Sequence, residues 1–546
     1  MNSRPWSEVL PLGDTLIRSA HRHPERDALV FPESRARFGQ LYEGALRVAR
    51  GLMGLGVRPG EHVGLLASNS VEFMEAVYGV ALMGGVVVPL NVRHKSSELG
   101  YIIRNAELAA VLTQSNPAAH VDFASLLCDS LPGLDVASAD GLLALDAAPQ
   151  LRRAILLSGP PRRGFVDPAG FAQAADEVSA DEVLACGRRV SLRDTATIIY
   201  TSGTTANPKG CMLSHEALTR GPLERAEVRL RSGDADVHWG AGPLFHIGSL
   251  APCLGALGAG FTYATDLFYE PRRALALIRE HRATTIWPWF PAIVLGLLEQ
   301  PGFDGESLPE VRKIVLIASS ALVTQVQARF PKAEILQGCG MTETAGIFGL
   351  SGAQDTPAER ATTQGKAYPG LEVRLLLPDG SREAGVGEIG EILVRGYCVM
   401  QGYYKDPEKT AAALDAEGWL HTGDLYGRDE RDNLVFNGRL KDMLKVGGEN
   451  VAAVEVESFL SQHPAVRIAE VVGKPDPRLD EVPVAFVELR EGAQLSGQEL
   501  IDFCKGRIAN YKVPREVHFM APGSWPMSLT KIDKRGLRSR LSASGS

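Results

Sequence analysis

The sequence predicts an α/β chain, with a large N-terminal domain of layered α/β subdomains and a small α+β C-terminal domain. Three observations carry that fold class. From residue 40 to 115, amphipathic stretches such as FGQLYEGALRVARGLMGLG alternate with short β-rich runs, HVGLLAS, VVVPL and AAVLTQ, set apart by Gly, Pro and Asn. That alternation is the signature of helices layered on a sheet. At 546 residues and 45% hydrophobic, the chain exceeds what a single core holds, since cores stop growing near about 250 to 300 residues. Near 420 to 450 the pattern changes: DNLVFNGRLKDMLKVGGENV joins a short strand, a charged crossing and a double-glycine turn. The boundary therefore falls at about Arg439 to Lys441, dividing residues 1–440 from 441–546.

The elements follow in order. VYGVALMGGVVVPL, residues 77 to 90, is too short and too broken by glycine and proline to span a bilayer, and predicts a buried helix, a turn and a strand. Residues 128 to 192, rich in Ala, Asp, Gly and Arg, predict a surface excursion that ends where the strand TATIIY begins. TTIWPW and KIVLIAS are later strands, again alternating with helices, and the terminal LSASGS predicts disorder. A net charge of −8 offers no bulk attraction for nucleic acid or anionic lipid. Seven scattered cysteines carry no metal-ligand spacing, and the start MNSRPWSEVLPLGD lacks a basic segment followed by an apolar one. The expectation is a cytoplasmic protein with a small-molecule partner, no nucleic acid and no stable membrane insertion; a homodimer is left open.

The chemistry starts at YTSGTTANPKG, residues 200 to 210. Glycines free backbone N–H groups to face an anion, hydroxyls donate to phosphate oxygens, and Lys209 supplies charge, so the segment is a candidate polyphosphate cradle. It is not a Walker A loop, because Lys209 lies between Pro208 and Gly210 instead of preceding Ser or Thr.

This loop resembles the phosphate-loop signature of the adenylate-forming superfamily, which includes acyl-CoA synthetases, adenylation domains of peptide synthetases and luciferases. Further motifs follow in that family's order: GPLFHIGSL at 242–250, QGCGMTET at 337–344, GEIGEILVRG at 387–396, WLHTGDL at 419–425, GRLKDMLKVGGENV at 438–451 and MSLTKIDKRGLR at 527–538. The resemblance covers nearly the whole chain and implies a distorted β-barrel within the large domain. It implies activation of a carboxylic acid by ATP, with Mg²⁺, as an acyl-adenylate with pyrophosphate release. Rotation of the small domain, a mobile lid, and thioester formation with CoA would follow.

By that resemblance, Thr201, Ser202, Gly203, Thr204, Thr205 and Lys209 hold the β- and γ-phosphates, Thr342 sits near the α-phosphate, and Glu343 is the metal ligand. Asp424 and Arg439 take the ribose, and Ser319, Ser320, Ala321, Gly338, Cys339 and Gly340 surround the adenine. Lys531 is the adenylation lysine and Lys441 the hinge, while Lys445, Gly447, Gly448 and Glu449 line the CoA channel. The Gly-Gly-Glu-Asn form of that loop resembles free-standing acyl-CoA ligases. His246 is similar to the aromatic gate of the acyl site, or else a core histidine capped by backbone. Trp287, Trp289 and Phe290 stand where the acyl pocket begins; strand alternation puts the two tryptophans on one side, which favours an aromatic, cyclic or medium-chain acid.

The chain departs from the family pattern in the adenine site. Cys339 replaces the usual stacking aromatic, and Ser319 and Ser320 stand where Gly-Gly is common. Two other readings share these residues. One is an adenylating enzyme that passes its group to an amine, a carrier-protein thiol or another nitrogen nucleophile; the other is a nucleotide-binding paralogue without catalysis.

Overall fold

A computed structural model gives the fold and describes residues 8–117, 121–137, 142–201, 207–446, 449–528 and 531–543. Within those spans the side chains of Lys441, Lys445, Glu449, Asn450, Ser528, Lys531, Ser542 and Ala543 lie outside the description.

Two seven-stranded sheets build most of the large domain. In one, the strands Glu334–Leu336, Lys313–Leu316, Thr285–Trp289, Val237–Gly240, Thr262–Ala264 and Asp27–Val30 run parallel, with Arg35–Arg37 closing the edge as a hairpin. The other runs Arg153–Ser158, Leu108–Gln114, His62–Leu66, Val86–Pro89 and Thr195–Thr201 in parallel, then turns antiparallel at Lys209–Ser214 and Gly402–Tyr403. Alternation decides which core each side chain enters. Val63, Leu65 and Val87 join the helices packed between the sheets, whereas Leu66, Val86 and Val88 face a second core outside.

The segment 77–90 forms the predicted helix, turn and strand. Helix Val71–Leu82 is capped by the Ser70 hydroxyl, which accepts from Phe73 N–H, and is buried from Ala76 through Leu82. It crosses helix Phe38–Gly54 so closely that a Cβ on Gly79 would meet the Ala45 carbonyl at 2.7 Å. The expectation for residues 128 to 192 needs correction. RAILLS, Arg153–Ser158, is an edge strand of the second sheet, and helix Pro168–Asp176 packs on Phe38–Gly54 with the Phe171 ring against Gly51. The strand is buried only over Ala154–Leu156, too short a run for its periodicity to be read.

Two antiparallel sheets follow: Gly338–Met341, Gly346–Leu350 and Lys366–Ala367, and Leu371–Leu376, Ile389–Gly396, Leu420–Arg428 and Leu434–Arg439. They enclose one core with Cys339, Phe348, Ile392, Val394 and Tyr426 inside. After them, the strands Met443–Val446, Glu449–Ala452, Val466–Asp476, Asp480–Leu489 and Glu516–Phe519 form a separate mixed sheet. Helices Ala453–Leu460 and Gly497–Cys504 cover one face, and helix Lys534–Ala543 the other. That last helix includes Leu541 to Ala543, so half of LSASGS is ordered; residues 544–546 lie outside the description.

Candidate active site

The phosphate-loop strands form an antiparallel pair in which Thr201 lies opposite Lys209. Ser202, Gly203, Thr204 and Thr205, between them, lie outside the described residues. Thr201 Oγ1 is buried with no hydrogen-bond partner among the described residues, as an atom awaiting an acceptor would be.

Lys209 faces a site that the sequence motifs reveal only in part. Strand Gly402–Tyr403 pairs with Lys209–Ser214, putting Tyr403 opposite Cys211. The Tyr403 hydroxyl accepts from Lys209 Nζ at 2.7 Å and donates to Glu343 Oε1 at 2.7 Å, and Lys209 Nζ is itself 4.0 Å from Glu343 Oε1. Burial, then the charge of Glu343, holds the tyrosine's pKa well above its ordinary value, so it stays a donor. Tyr403 is the functional residue that motif reading missed; its signal is GYYKDP, where helix Pro407–Ala413, capped by Asp406, fixes the strand before it.

Glu343 sits in a single 3-10 turn, Thr342–Thr344, closed by Ala345 and Gly346 at positive φ of 51° and 97°. Thr344 Oγ1 accepts from Met341 N–H and donates to the Gly346 carbonyl, and Met400 N–H donates to the Glu343 carbonyl. The carboxylate is therefore held from both sides of the chain. Its contacts from Tyr403 and Lys209 both fall on Oε1. No group of three His, Cys, Asp or Glu able to hold a metal occurs among the described residues. A magnesium ion here would thus take one protein carboxylate, with phosphate oxygens and water completing the shell, which is how Mg²⁺ is commonly bound.

Asp424 and Arg439 are brought together. They are register partners in neighbouring strands, with Arg439 Nε 3.2 Å from Asp424 Oδ1. The turn before Asp424 is positioned by Glu391, which accepts from Gly423 N–H at 2.9 Å and contacts His421 Nδ1 at 3.2 Å. Gly423 adopts φ of 71° there, a conformation glycine enters without strain.

On the adenine side, Gly338 and Cys339 are buried and Gly340 is exposed. A Cβ on Gly340 would meet the Gly346 carbonyl at 2.1 Å, so the close strand pairing requires glycine. The Cys339 thiol packs in the core beside Tyr426, and burial, then the charge of Asp424, raises its pKa. It stays a neutral thiol. Ser319 caps helix Ser320–Arg329, accepting from Leu322 N–H at 3.4 Å, while Ser320 and Ala321 are exposed. The buried Gln337, also missed, ties this edge together: its Oε1 accepts from Ala318 N–H, and its Nε2 donates to the Arg360 and Ala361 carbonyls.

His246 caps helix Ile247–Gly258, its Nδ1 accepting from Gly248 N–H at 3.1 Å, and the ring is half-buried. Trp287 and Trp289 do share a side, with ring centroids 5.3 Å apart, and Phe290 packs against the same cluster. Trp289 stands at φ of 54°, which costs about 1 to 2 kcal/mol for a side chain of its size.

In the last domain, Lys441 lies in the turn Leu440–Asp442, Lys445 and Glu449 lie on paired strands, and Lys531 lies on a short strand opposite Ser528. Gly447 and Gly448 fall outside the described residues. Lys534, three residues beyond Lys531 in the same motif, is committed to Glu457 and lies 3.6 Å from Glu470. Arg538 ties the final helix to Asp442 at 3.0 Å, in the turn that holds Lys441.

Comparison with known proteins gives the family and the fold. The AMP-binding enzyme model covers residues 16–404 and its C-terminal domain model covers 455–526. A Bacillus subtilis (strain 168) protein named for acyl-CoA synthetase activity is 32% identical over 97% of this chain and 96% of its own. A Rhodococcus jostii (strain RHA1) CoA ligase, named for a methylated dioxo-octahydroindenyl propanoic acid, is 32% identical over 92% of this chain and 94% of its own. The crystal structure of an anthranilate CoA ligase with anthranoyl-AMP superposes with a TM-score of 0.83, at 26% identity over 100% of both chains. This chain belongs to the AMP-binding enzyme family, as an ATP-dependent ligase that forms an acyl-adenylate and thioesterifies it with CoA.

Proposed function

We propose that the protein activates an aromatic, alicyclic or medium-chain carboxylic acid, and that the Lys209–Tyr403–Glu343 network is where the triphosphate is read. That network is the observation that carries the proposal. A buried carboxylate bridged to a lysine by a protonated tyrosine is a preorganised pair of charges. Such fixed charges assist where negative charge redistributes, without reorganising during the step. Lys209, Thr201 and the loop residues 202 to 205 would hold the β- and γ-phosphates. Glu343 would hold Mg²⁺, which supplies charge neutralisation at the phosphates when bound. Asp424 offers two acceptor oxygens to vicinal ribose hydroxyls, with Arg439 as the neighbouring donor. The engagement of Lys534 with Glu457 supports Lys531 as the lysine that meets the reacting carboxylate.

The domain reading belongs to the same proposal. Residues 1–440 bind ATP and acid, 441–546 form the lid, Lys441 is the hinge, and Lys445 to Glu449 line the CoA channel after rotation. The matched family segments end at 404 and resume at 455, which supports a junction between them. The tryptophan pair supports a compact ring or medium chain over a long fatty tail, and the names of the two ligases for ring-bearing acids agree with it. Seven free cysteines, none paired, accord with a cytoplasmic setting.

The test is pyrophosphate release by purified protein with ATP, Mg²⁺ and a panel of benzoic, cycloalkyl, medium-chain and long-chain acids, with acyl-CoA detected by mass spectrometry. Release dependent on the first three classes, with the matching thioester, is expected. Preference for long-chain acids would overturn the substrate reading, and adenylate without thioester would overturn CoA as acceptor.

A further inference from the structure

Behind the strand Gly346–Leu350 lies a buried cluster most of whose polar side-chain atoms lack hydrogen-bond partners among the described residues. The helix His215–Glu224 widens there into one π turn, Arg225–Arg229, a departure from α-geometry that often marks functional positions. Its first residue, Arg225, is 2% exposed, and around it stand His238, Trp287, Trp289 and Tyr368, none above 9%. The guanidinium lies 5.7 Å from the Trp287 ring centre and 6.0 Å from that of Tyr368. His238 lies 6.2 Å from Trp287.

Arg225 makes one long hydrogen bond, Nη1 to the Ile347 carbonyl at 3.4 Å, and no ion pair among the described residues. Arg225 Nη2, both His238 ring nitrogens, Trp287 Nε1, Trp289 Nε1 and Tyr368 Oη are buried without a well-formed hydrogen bond among the described residues, the Arg225 guanidinium being the polar group beside the Tyr368 hydroxyl. A buried charge left unpaired and polar groups left unsatisfied are each expensive, and native interiors rarely gather several in one place. The inventory leans toward donors, the neutral His238 ring adding one donor and one acceptor nitrogen. Guanidinium and indole N–H groups only donate, and the tyrosine donates as readily as it accepts. What would satisfy them is an oxygen acceptor on an apolar frame flat enough to lie against aromatic faces.

The cluster adjoins the reaction site. Ile347, which holds Arg225, is the register partner of Gly340 in the Gly-Met-Thr-Glu segment. A Cβ on Gly346 would lie against Ala251 and Ile247 of the helix that His246 caps.

We infer that the Arg225, Trp287, Trp289 and Tyr368 cluster is the far wall of the acid pocket and selects acids that carry a second acceptor oxygen, a ring ketone or a ring carboxylate, distal to the reacting carboxyl group. This rests on the ligase reading above. Trp289 at positive φ and the π turn at Arg225 are two departures from regular backbone within this cluster.

Three probes of one skeleton test it: cyclohexanepropanoic acid, its 4-oxo derivative and its 4-carboxy derivative, each assayed for kcat/KM of pyrophosphate release. The wild type should prefer one oxygenated probe over the plain acid by about 100-fold, as hydrogen bonds to a buried charged donor provide, and the preferred one tells ketone from carboxylate. Arg225→Met should collapse that ratio. Tyr368→Phe, which removes only a hydroxyl, should lower it measurably and serves should Arg225→Met fail to fold. A wild type that favours the plain acid, or a ratio unmoved in the folded variants, overturns the inference and leaves the ligase reading intact. Release with none of the three probes, nor with any acid of the wider panel, overturns both.

Discussion

At Glu343 the charged groups meet their complements, with the carboxylate accepting from Tyr403 through Oε1, the tyrosine accepting from Lys209, and the turn closed by Thr344. At Arg225 a guanidinium faces aromatic rings, and five neighbouring polar atoms lack a well-formed hydrogen bond among the described residues. Both regions are buried, both lie against the Gly338–Met341 and Gly346–Leu350 hairpin, and yet one is satisfied and the other is not. A site that handles the same triphosphate in every turnover gains from charges fixed in advance. A site that must tell one acid from another gains from donors that only the right acid completes, because the wrong one leaves them buried and unpaired. The nucleotide end should therefore be indifferent to the acid, and the acid end should decide it.

The largest expected effect tests that indifference. Glu343→Ala should lower kcat for adenylate formation by about 100- to 1,000-fold, and by the same factor for every acid the wild type accepts. Tyr403→Phe removes the bridge but leaves Lys209 near Glu343, so a loss of about 10-fold is expected, again equal across acids. Pyrophosphate release measured with two unlike acids checks both. A loss that depends on the acid would mean that the two ends are one site.

A smaller effect concerns protons at the acid end. His238 is enclosed by Phe261 and Trp287 and faced by the cations Arg225 and Lys313. Burial first, then those two charges, pushes its pKa from 6.5 down to about 3. The folded state thus holds it neutral while the unfolded chain takes a proton below 6.5. The stability is fully present above that value and is lost as pH falls toward 3, by about 1.4 kcal/mol per unit. His238→Asn should flatten the acid side of the Tm–pH curve. An unchanged difference between pH 7 and 4.5 would show that the ring gains its proton without cost, and that the cluster is wetter than its burial implies.

The two regions also differ in how far the sequence exposes them. Glu343, Lys209, Asp424 and Arg439 stand in short motifs dense in glycine and hydroxyl residues, where local spacing alone limits what the backbone can do, and the structure brings the first pair and the second pair each into contact. The layered strands from 62 to 114 were legible for the same reason, being alternations within one segment. Tyr403 escaped because it reaches Glu343 across 60 residues through a two-residue strand. The edge strand Arg153–Ser158 escaped because three buried residues carry no readable period. Arg225 was least visible. Its partners come from four separate strands and loops, and in the sequence it is one arginine in a charged helix end.

The weakest contact tests whether the acid end is tied to the small domain. Helix Pro291–Leu298 starts directly after Phe290, and at its end Glu299 meets Arg467 of the strand Val466–Asp476, with Oε2 3.1 Å from Nη2. Arg467 is also anchored to the buried Glu488, which accepts from Trp525 Nε1 at 2.7 Å. Glu299→Gln therefore frees only the half of the contact that crosses between domains. The pair is exposed on the Glu299 side, so less than about 1 kcal/mol is at stake, and Tm should barely move. The same energy can still shift the balance between adenylation and thioester formation from supplied acyl-adenylate, by no more than about fivefold. The ratio of those two half-reactions should change while preference among acids stays fixed, because the contact touches the end of the helix and none of the donors around Arg225. A change in acid preference would instead show that small-domain position reshapes the pocket, and the division between a fixed nucleotide end and a selective acid end would give way to one coupled site.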